Sequence, residues 1–222
     1  MKCGLLIETS TRICSAGIYS DGKLLAHKIL DEGSYIHAES LMPCIHDVIA
    51  QAGALTTDLD AVVIGEGPGS YTGLRIGTSL AKGICFGLKI PLYAVDSGQM
   101  FAVYAKQKSP YRTRFVSVSD AGRMEVYMAI YDQHINCISE HQPIILEEAF
   151  FRQDEFQDAF FVGDGIDKAK DFLQPNQGLA VVCPDVKLIS HVISSMKLRA
   201  NNTADYTPKY VKEYIPLQPR PK

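Results

Sequence analysis

The chain has 222 residues, of which 46% are hydrophobic and 21% charged, and its formal net charge at pH 7 is −3. This composition is typical of a folded globular protein, and it excludes disordered chains, collagen-like chains and general polyanion binders. No apolar run approaches the roughly 20 residues that span a bilayer, and the six cysteines are scattered without CxxC spacing. We therefore expect no membrane segment and a reducing, cytoplasmic location.

The first half of the chain predicts three strands followed by alternating helices and strands. Apolar runs within residues 3–30 are separated by a polar turn and by Asp21-Gly22, a strong hairpin signal, so this segment predicts an antiparallel meander. Pro43 lies inside the first predicted helix and is tolerated only if that helix begins late or kinks there. The order of elements predicts a mixed sheet with helices on its faces. Helices are predicted over 37–51, 72–88 and 99–106, and strands over 61–64 and 91–95.

The second half begins with the same order of elements, after a polar segment at 107–113 that we interpret as a linker. The predicted division is an N-terminal lobe over residues 1–108 and a smaller C-terminal lobe over 109–222. Four prolines within residues 197–222 predict an extended strap, which we expect to pack back on the first lobe. Strands are predicted over 115–118, 125–131, 137–146, 160–162 and 180–183, and helices over 166–173 and 186–198.

Two polar turns are candidate phosphate loops. Glu8, Thr9 and Ser10 follow the first strand, where hydroxyls and backbone amides can cradle a phosphate and an acid can hold a metal. Asp120 and Gly122 lie in the corresponding turn of the second half and would face the first turn across a cleft. The alternative is that both turns are structural, with Glu8 solvated and the second turn a simple hairpin with its charged residues exposed.

A glycine-rich loop at residues 65–70 precedes the helix predicted over 72–88, but it matches neither a Walker A loop nor a GxGxxG fingerprint. Gly73, Gly77 and Ala81 recur one turn apart, and small residues in such a row let another helix approach closely. This row predicts a helix–helix contact, and both a contact within the chain and one between chains stay open. The opposite row, which would then be buried on the sheet, is Ile76, Leu80, Ile84 and Leu88.

Patterns typical of metal or nucleophilic catalysis are missing. The six histidines form neither HxxxH nor HExxH, and no GxSxG elbow occurs. The sequence therefore predicts no metal site and gives no support to serine or cysteine catalysis.

Several motifs together resemble the TsaB family, also called YeaZ. The similarity is near complete over residues 5–130 and loose afterwards. The glycine-rich motif is the most specific of them, and it is shared in part with the paralogous TsaD family. The motifs are IETST at 7–11, HAESLMP at 37–43, GEGPGSYTGLRIG at 65–77, AKG at 81–83 and DAGRMEVY at 120–127.

The resemblance implies an α/β protein with the actin-like ATPase fold (ASKHA, ribonuclease H-like), in which two lobes carry mixed sheets flanked by helices. TsaD-like proteins bind the catalytic metal through an HxxxH pair, and Ser97 and Phe101 stand at those positions here. Neither side chain replaces an imidazole ligand. The resemblance therefore implies a non-catalytic paralogue.

Its implied role is to support TsaD, together with the ATPase TsaE, in making threonylcarbamoyladenosine (t6A) next to the anticodon of tRNA. The donor in that reaction would be a carbamoyl-adenylate that another enzyme makes. The chain would contact tRNA only through this complex. The resemblance also places the TsaD contact on two helices of the first lobe, on a surface that can form a homodimer when the chain is alone. The expected interface residues are Leu41, Ile45, Val48, Gly73, Leu74, Gly77 and Ala81.

No cofactor is expected, beyond a nucleotide bound weakly or at the partner interface. The residues of this vestigial nucleotide site would be Glu8, Thr9, Ser10, Asp120 and Gly122. Three other functions stay open. An active actin-fold kinase or ATPase would use the same acids and hydroxyls, a peptidase would need a nucleophile–base pattern that the sequence lacks, and the net charge opposes an independent RNA-binding module.

Overall fold

Two mixed sheets, each flanked by helices, make up the part of the chain that the computed structural model describes, residues 1–33 and 36–212. Of residues 148 and 149 only the backbone is described. The end of the predicted strap, residues 213–222, lies outside the described residues. Within the described ranges, no helix is both long and apolar enough to cross a membrane.

The first sheet has the strand order β11-β5-β4-β1-β2-β3. The predicted meander is confirmed, because β1 pairs antiparallel with β2 and β2 with β3. Asp21 and Gly22, between β2 and β3, both have positive φ, as a two-residue hairpin turn requires. Parallel pairs join β1 to β4 and β4 to β5. The strands are β1 Gly4–Glu8, β2 Cys14–Ser20, β3 Lys23–Leu30, β4 Ala61–Gly67, β5 Leu92–Asp96 and β11 Ala200–Asn201.

Helices cover both faces of the first sheet, with α1 and α2 on one face and α3 and α6 on the other. Helix α1 begins at its predicted first residue and continues past Pro43, so of the two conditions given for this proline the late start does not apply. Side-chain caps begin the other three helices. Ser70 accepts from the Gly73 amide before α2, and Asp96 accepts from the Gln99 amide before α3. Asp185 accepts from the amides of Lys187 and Leu188 at the start of α6. The helices are α1 His37–Gln51, α2 Tyr71–Leu88, α3 Ser97–Lys108 and α6 Val186–Ser195.

The second sheet has the strand order β10-β9-β6-β7-β8, with antiparallel pairs among β6, β7 and β8 and parallel pairs that add β9 and β10. Helix α3 lies between the two sheets and shares a core with both. A separate core, rich in phenylalanine, fills the far face of this sheet. The elements are β6 Arg114–Asp120, β7 Glu125–Asp132, β8 Cys137–Ile145, α4 Glu148–Phe151, β9 Phe160–Gly163, α5 Ile166–Ala169 and β10 Gly178–Val181.

Two elements from the end of the chain return to the first sheet. Helix α6 packs against α3 and against strands β1, β2 and β3. Strand β11 pairs antiparallel with β5, with Ala200 opposite Tyr93. The division into lobes 1–108 and 109–222 stays a prediction, and these two elements show that the second part of the chain contributes to the layers of the first sheet.

Candidate functional site

A cavity of 510 Å³ lies between the two sheets, where the first polar turn of each half is placed. Ser10 lines it from the β1–β2 turn, and Asp120 and Gly122 line it from the β6–β7 turn. Gly69 and Ser70, at the beginning of α2, complete this side of the wall. The fold therefore brings together three of the five residues predicted for a nucleotide site.

The other two, Glu8 and Thr9, lie in the interior and are fully buried. Glu8 Oε1 accepts a hydrogen bond from the Ser10 amide at 2.6 Å. Burial raises the pKa of Glu8, although the hydrogen bonds from Ser10 oppose that shift. A Cβ on Gly65 would lie 1.8 Å from Glu8 Oε2, so only glycine leaves room for this carboxyl. The interpretation of Glu8 as a solvated strand end is wrong.

The Asp120 carboxylate already has a hydrogen-bond donor in its own turn and an ion-pair partner outside it. Its Oδ1 accepts from the Gly122 amide at 2.6 Å and pairs with the ammonium of Lys168. Gly122 has φ +80°, which suits glycine in this tight hairpin. Arg123 is exposed, as the structural interpretation of this turn expects, whereas Glu125 is half-buried. One oxygen of the Asp120 carboxylate is therefore already engaged within the protein.

Asp164 lines the same cavity next to Asp120, and the sequence analysis missed it. Its Oδ1 accepts from the Asp120 amide at 3.3 Å. Burial raises the pKa of Asp164 to about 7, and the nearby charges of Asp120 and Glu8 act in the same direction. The available signal was an acid between two glycines directly after an apolar strand, Gly163-Asp164-Gly165.

The cavity in which an actin-like fold would hold a magnesium-bound nucleotide is lined by several acids and has few unpaired cations beside it. Its wall carries Asp164 and Asp167 in addition to Asp120. The cations beside them are already paired, Arg12 with Asp31 at 3.0 Å and Lys168 with Asp120. A polyphosphate without a cation would be repelled by those carboxyls that are ionised, whereas Mg²⁺ is an ion that carboxylates can hold beside a phosphate. Among residues 1–33 and 36–212, no group of three or more His, Cys, Asp or Glu side chains could hold a metal.

Asp164→Asn should stabilise the protein at pH 8. The pKa of this carboxyl is about 7 in the folded protein and about 4 in an unfolded chain. The free energy that the neutral Asp164 carboxyl contributes to folding is therefore fully present below pH 4 and is lost as the pH rises through 7. Asparagine keeps the acceptor oxygen and cannot ionise, so we expect a gain of about 2 kcal/mol at pH 8 and little at pH 4. Urea unfolding at both pH values measures it, and an equal effect at both would contradict the assignment.

The helix face predicted to bind a partner is turned inward. The expected interface residues on α1, Leu41, Ile45 and Val48, are buried within the chain. So are those on α2, which are Gly73, Leu74, Gly77 and Ala81.

Two of these glycines allow α2 to approach the turn that follows β1. A Cβ on Gly73 would lie 2.2 Å from the Thr9 carbonyl oxygen, and a Cβ on Gly77 would lie 2.3 Å from Thr9 Oγ1. The contact made by this small-residue row is therefore internal, and the predicted orientation of α2 is wrong. The row expected to be buried is half-exposed, namely Ile76, Leu80, Ile84 and Leu88.

A second pair of glycines marks the side of α2 that does face solvent. Gly83 and Gly87 are exposed, and a Cβ at either position would meet no atom within 4 Å. Glycine inside a helix costs about 0.5–1 kcal/mol relative to alanine, and no contact of the described chain requires either one. Helical spacing puts both beside Ile76 and Leu80. We call the following set the outward face of α2: Ile76, Leu80, Gly83, Phe86 and Gly87.

Apolar surface surrounds this outward face. Two cavities, of 270 and 490 Å³, lie along α1 and α2, and Met42 lines both of them. Ile84 lines the first, and Ile76 and Leu80 line the second. Phe86 is 87% exposed. Exposed apolar surface with a protruding aromatic ring nearby is typical of a protein-binding site.

A buried carboxylate, which sequence reasoning also missed, joins the two sheets. Asp96, at the end of β5, accepts hydrogen bonds from Tyr131 Oη at 2.8 Å and from His141 Nε2 at 2.9 Å. Lys209 Nζ lies 3.1 Å from its other oxygen. Burial alone would raise the pKa of Asp96, but His141 and Lys209 outweigh it and hold the pKa well below the usual range. These partners are 35 to 113 residues away, so no local pattern reveals them.

Comparison with known proteins gives consistent matches. The family model described as "TsaD: tRNA N6-adenosine threonylcarbamoyltransferase" matches residues 31–198. The tRNA threonylcarbamoyladenosine biosynthesis protein TsaB of Escherichia coli (strain K12) is 35% identical over 60% of this chain and 57% of that protein. TsaB of Bacillus subtilis (strain 168) is 31% identical over 57% and 54%, respectively. The matched region thus spans just over half the length of these relatives.

Two solved structures from Pseudomonas aeruginosa share the fold. YeaZ is 24% identical, with a TM-score of 0.76 over 95% of this chain and 100% of that one. A protein described as similar to peptidase YeaZ is also 24% identical, with a TM-score of 0.78 over 96% and 100%. Together with the family model, these matches confirm the predicted actin-like (ASKHA) fold class.

Proposed function

Because the chain belongs to the TsaB (YeaZ) family, we propose that it takes part in the biosynthesis of threonylcarbamoyladenosine on tRNA. Its part is that of a non-catalytic subunit, which assembles with a TsaD-like transferase and a TsaE-like protein in the cytoplasm. The relatives' names support the pathway. The partners and the division of labour follow from the resemblance and from the surface of this chain.

The observation that carries the proposal is the outward face of α2. Exposed glycines weaken an isolated helix. Two glycines four residues apart also let a second helix approach until the two axes are about 8 Å apart, and that close packing can offset the cost. The half-exposed side chains of Ile76 and Leu80 border the glycines, and Phe86 supplies a large anchor. The occupant proposed for this face is a helix of the TsaD-like subunit, and a second copy of this chain would take its place when the chain is alone.

Two buried residues at the beginning of α3 support a non-catalytic role. Ser97 and Phe101, at the positions of the metal-binding histidines in TsaD-like proteins, are both fully buried. Phe101 belongs to the core between the two sheets. These positions offer no imidazole and no accessible space for a metal ion. Because the net charge is −3, tRNA would be held mainly by the other subunits.

Reconstitution tests the proposal directly. Threonylcarbamoyl transfer to tRNA is measured with the matching TsaD-like, TsaE-like and adenylate-forming proteins, with and without this chain. We expect transfer to fall to background when the chain is omitted, and the chain alone to transfer nothing. Unchanged transfer without the chain would overturn the partner role. ATP binding that is lost in Asp120→Ala would instead favour the kinase or ATPase alternative.

A further inference from the structure

We propose that residues 202–212 of the predicted strap lock the two sheets against each other, and that Lys209 makes the contacts to both sheets. From here on, the strap means residues 202–212. The strap begins on the first sheet, directly after β11. Lys82 of α2 donates to the carbonyl oxygens of Ala204 at 2.7 Å and Tyr206 at 3.1 Å. The Tyr206 ring is buried in the core beneath α1 and α2. This part of the strap is therefore fixed to the first sheet.

Lys209 connects that sheet to the other one. Its amide donates to the carbonyl oxygen of Glu66, at the end of β4, at 2.9 Å. Its ammonium lies 3.1 Å from Asp96 Oδ2 on β5 and 2.8 Å from Glu140 Oε2 on β8. One cation therefore pairs with a carboxylate from each sheet.

The Asp96 carboxylate makes this connection costly to break. Its side chain is 15% exposed, so its charge depends on protein donors rather than on water. The Asp96 carboxylate accepts from four donors, and only one of them, the Gln99 amide, comes from the segment that directly follows Asp96 in the chain. Tyr131 and His141 come from the second sheet, and Lys209 comes from the strap. Separating the sheets would strand a buried charge, which proteins tolerate poorly.

The end of the strap closes one side of the cleft between the sheets. Tyr210 packs on Tyr71, with ring centroids 5.0 Å apart, and its hydroxyl accepts from Arg75 Nε at 3.2 Å. Lys212 then pairs with Glu125 at the beginning of β7. The strap, the start of α2 and the β6–β7 turn thereby line an open cavity of 450 Å³. Release of Lys209 is therefore expected to open this side of the cleft.

Hydrogen exchange of the full chain tests the lock. In Lys209→Met the apolar stem is kept and the cation is lost. We expect exchange to rise about tenfold in the strap, in the first turn of α3 and in the β6–β7 turn. The first two contact Asp96, and the turn is joined to the strap through Glu125 and Lys212. Lys28→Met is the matched control, because its partner Asp47 lies on α1, outside the strap and the Asp96 cluster, and it should leave exchange in these three segments unchanged. Lys209→Arg should restore most of the protection.

A rise confined to the residues beside position 209 would overturn the proposal, because the strap would then be a local attachment. If Lys209→Met does not fold, Glu140→Gln decides the question. Glu140 is 73% exposed at its side chain and forms the outer end of the bridge. Its substitution should raise exchange in the same three segments by a smaller factor, and unchanged exchange in Glu140→Gln would then contradict the lock.

Discussion

Gly77→Leu should strongly destabilise the protein. A Cβ at this position would lie 2.3 Å from Thr9 Oγ1, a separation that real contacts do not show. Thr9 is fully buried in the turn after β1, so it has no open space into which to move. Three further side-chain carbons would have to enter the same interior. We expect a loss of at least about 3 kcal/mol in the free energy of unfolding, from overpacking in a buried site.

Urea unfolding followed by circular dichroism measures this loss. Gly77→Ala should show a smaller loss in the same direction, because it introduces the colliding Cβ alone. Gly83→Ala is the matched control on the same helix, since its Cβ would meet no atom within 4 Å, and it should gain up to about 1 kcal/mol. If Gly77→Leu unfolds within about 0.5 kcal/mol of the natural chain, as surface substitutions do, the inward placement of this row is wrong.

Much of the fold could be predicted because its signals are local. The Asp-Gly hairpin, the helix over 37–51 and the helix–strand alternation around the glycine-rich loop all depend on neighbouring residues and reappear with small shifts of their ends. The placement of Ser10 opposite Asp120 was also predictable, because each of these turns follows a strand that leads into the cleft between the sheets.

The orientation of α2 could not be predicted, because two rows of small residues share its surface. Gly73 and Gly77 have the same spacing as Gly83 and Gly87, and periodicity alone does not say which pair meets the chain itself. The answer depends on Thr9, which lies more than sixty residues earlier in the sequence. The Asp96 cluster was missed for the same reason, because its partners come from β7, β8 and the strap.

Gly83→Leu should leave the protein folded and remove its partner. The side chain would project from the outward face of α2 into open space, and leucine favours a helix more than glycine does. A helix packed closely on Gly83 would have to move away by the width of that side chain. We therefore expect stability equal to or above that of the natural chain, and an affinity for the TsaD-like subunit about 100-fold lower, or about 2.7 kcal/mol.

Isothermal titration of the TsaD-like subunit measures the affinity, and light scattering of the chain alone measures its dimer. Lys187→Leu is the control, because it adds an exposed leucine to α6 on the opposite face of the first sheet, and it should bind normally. Since the proposal assigns one surface to both partners, the dimer and the complex should weaken together. Full affinity for the TsaD-like subunit in folded Gly83→Leu would remove the outward face of α2 from the interface. Loss of the dimer alone would show that the two partners use different surfaces.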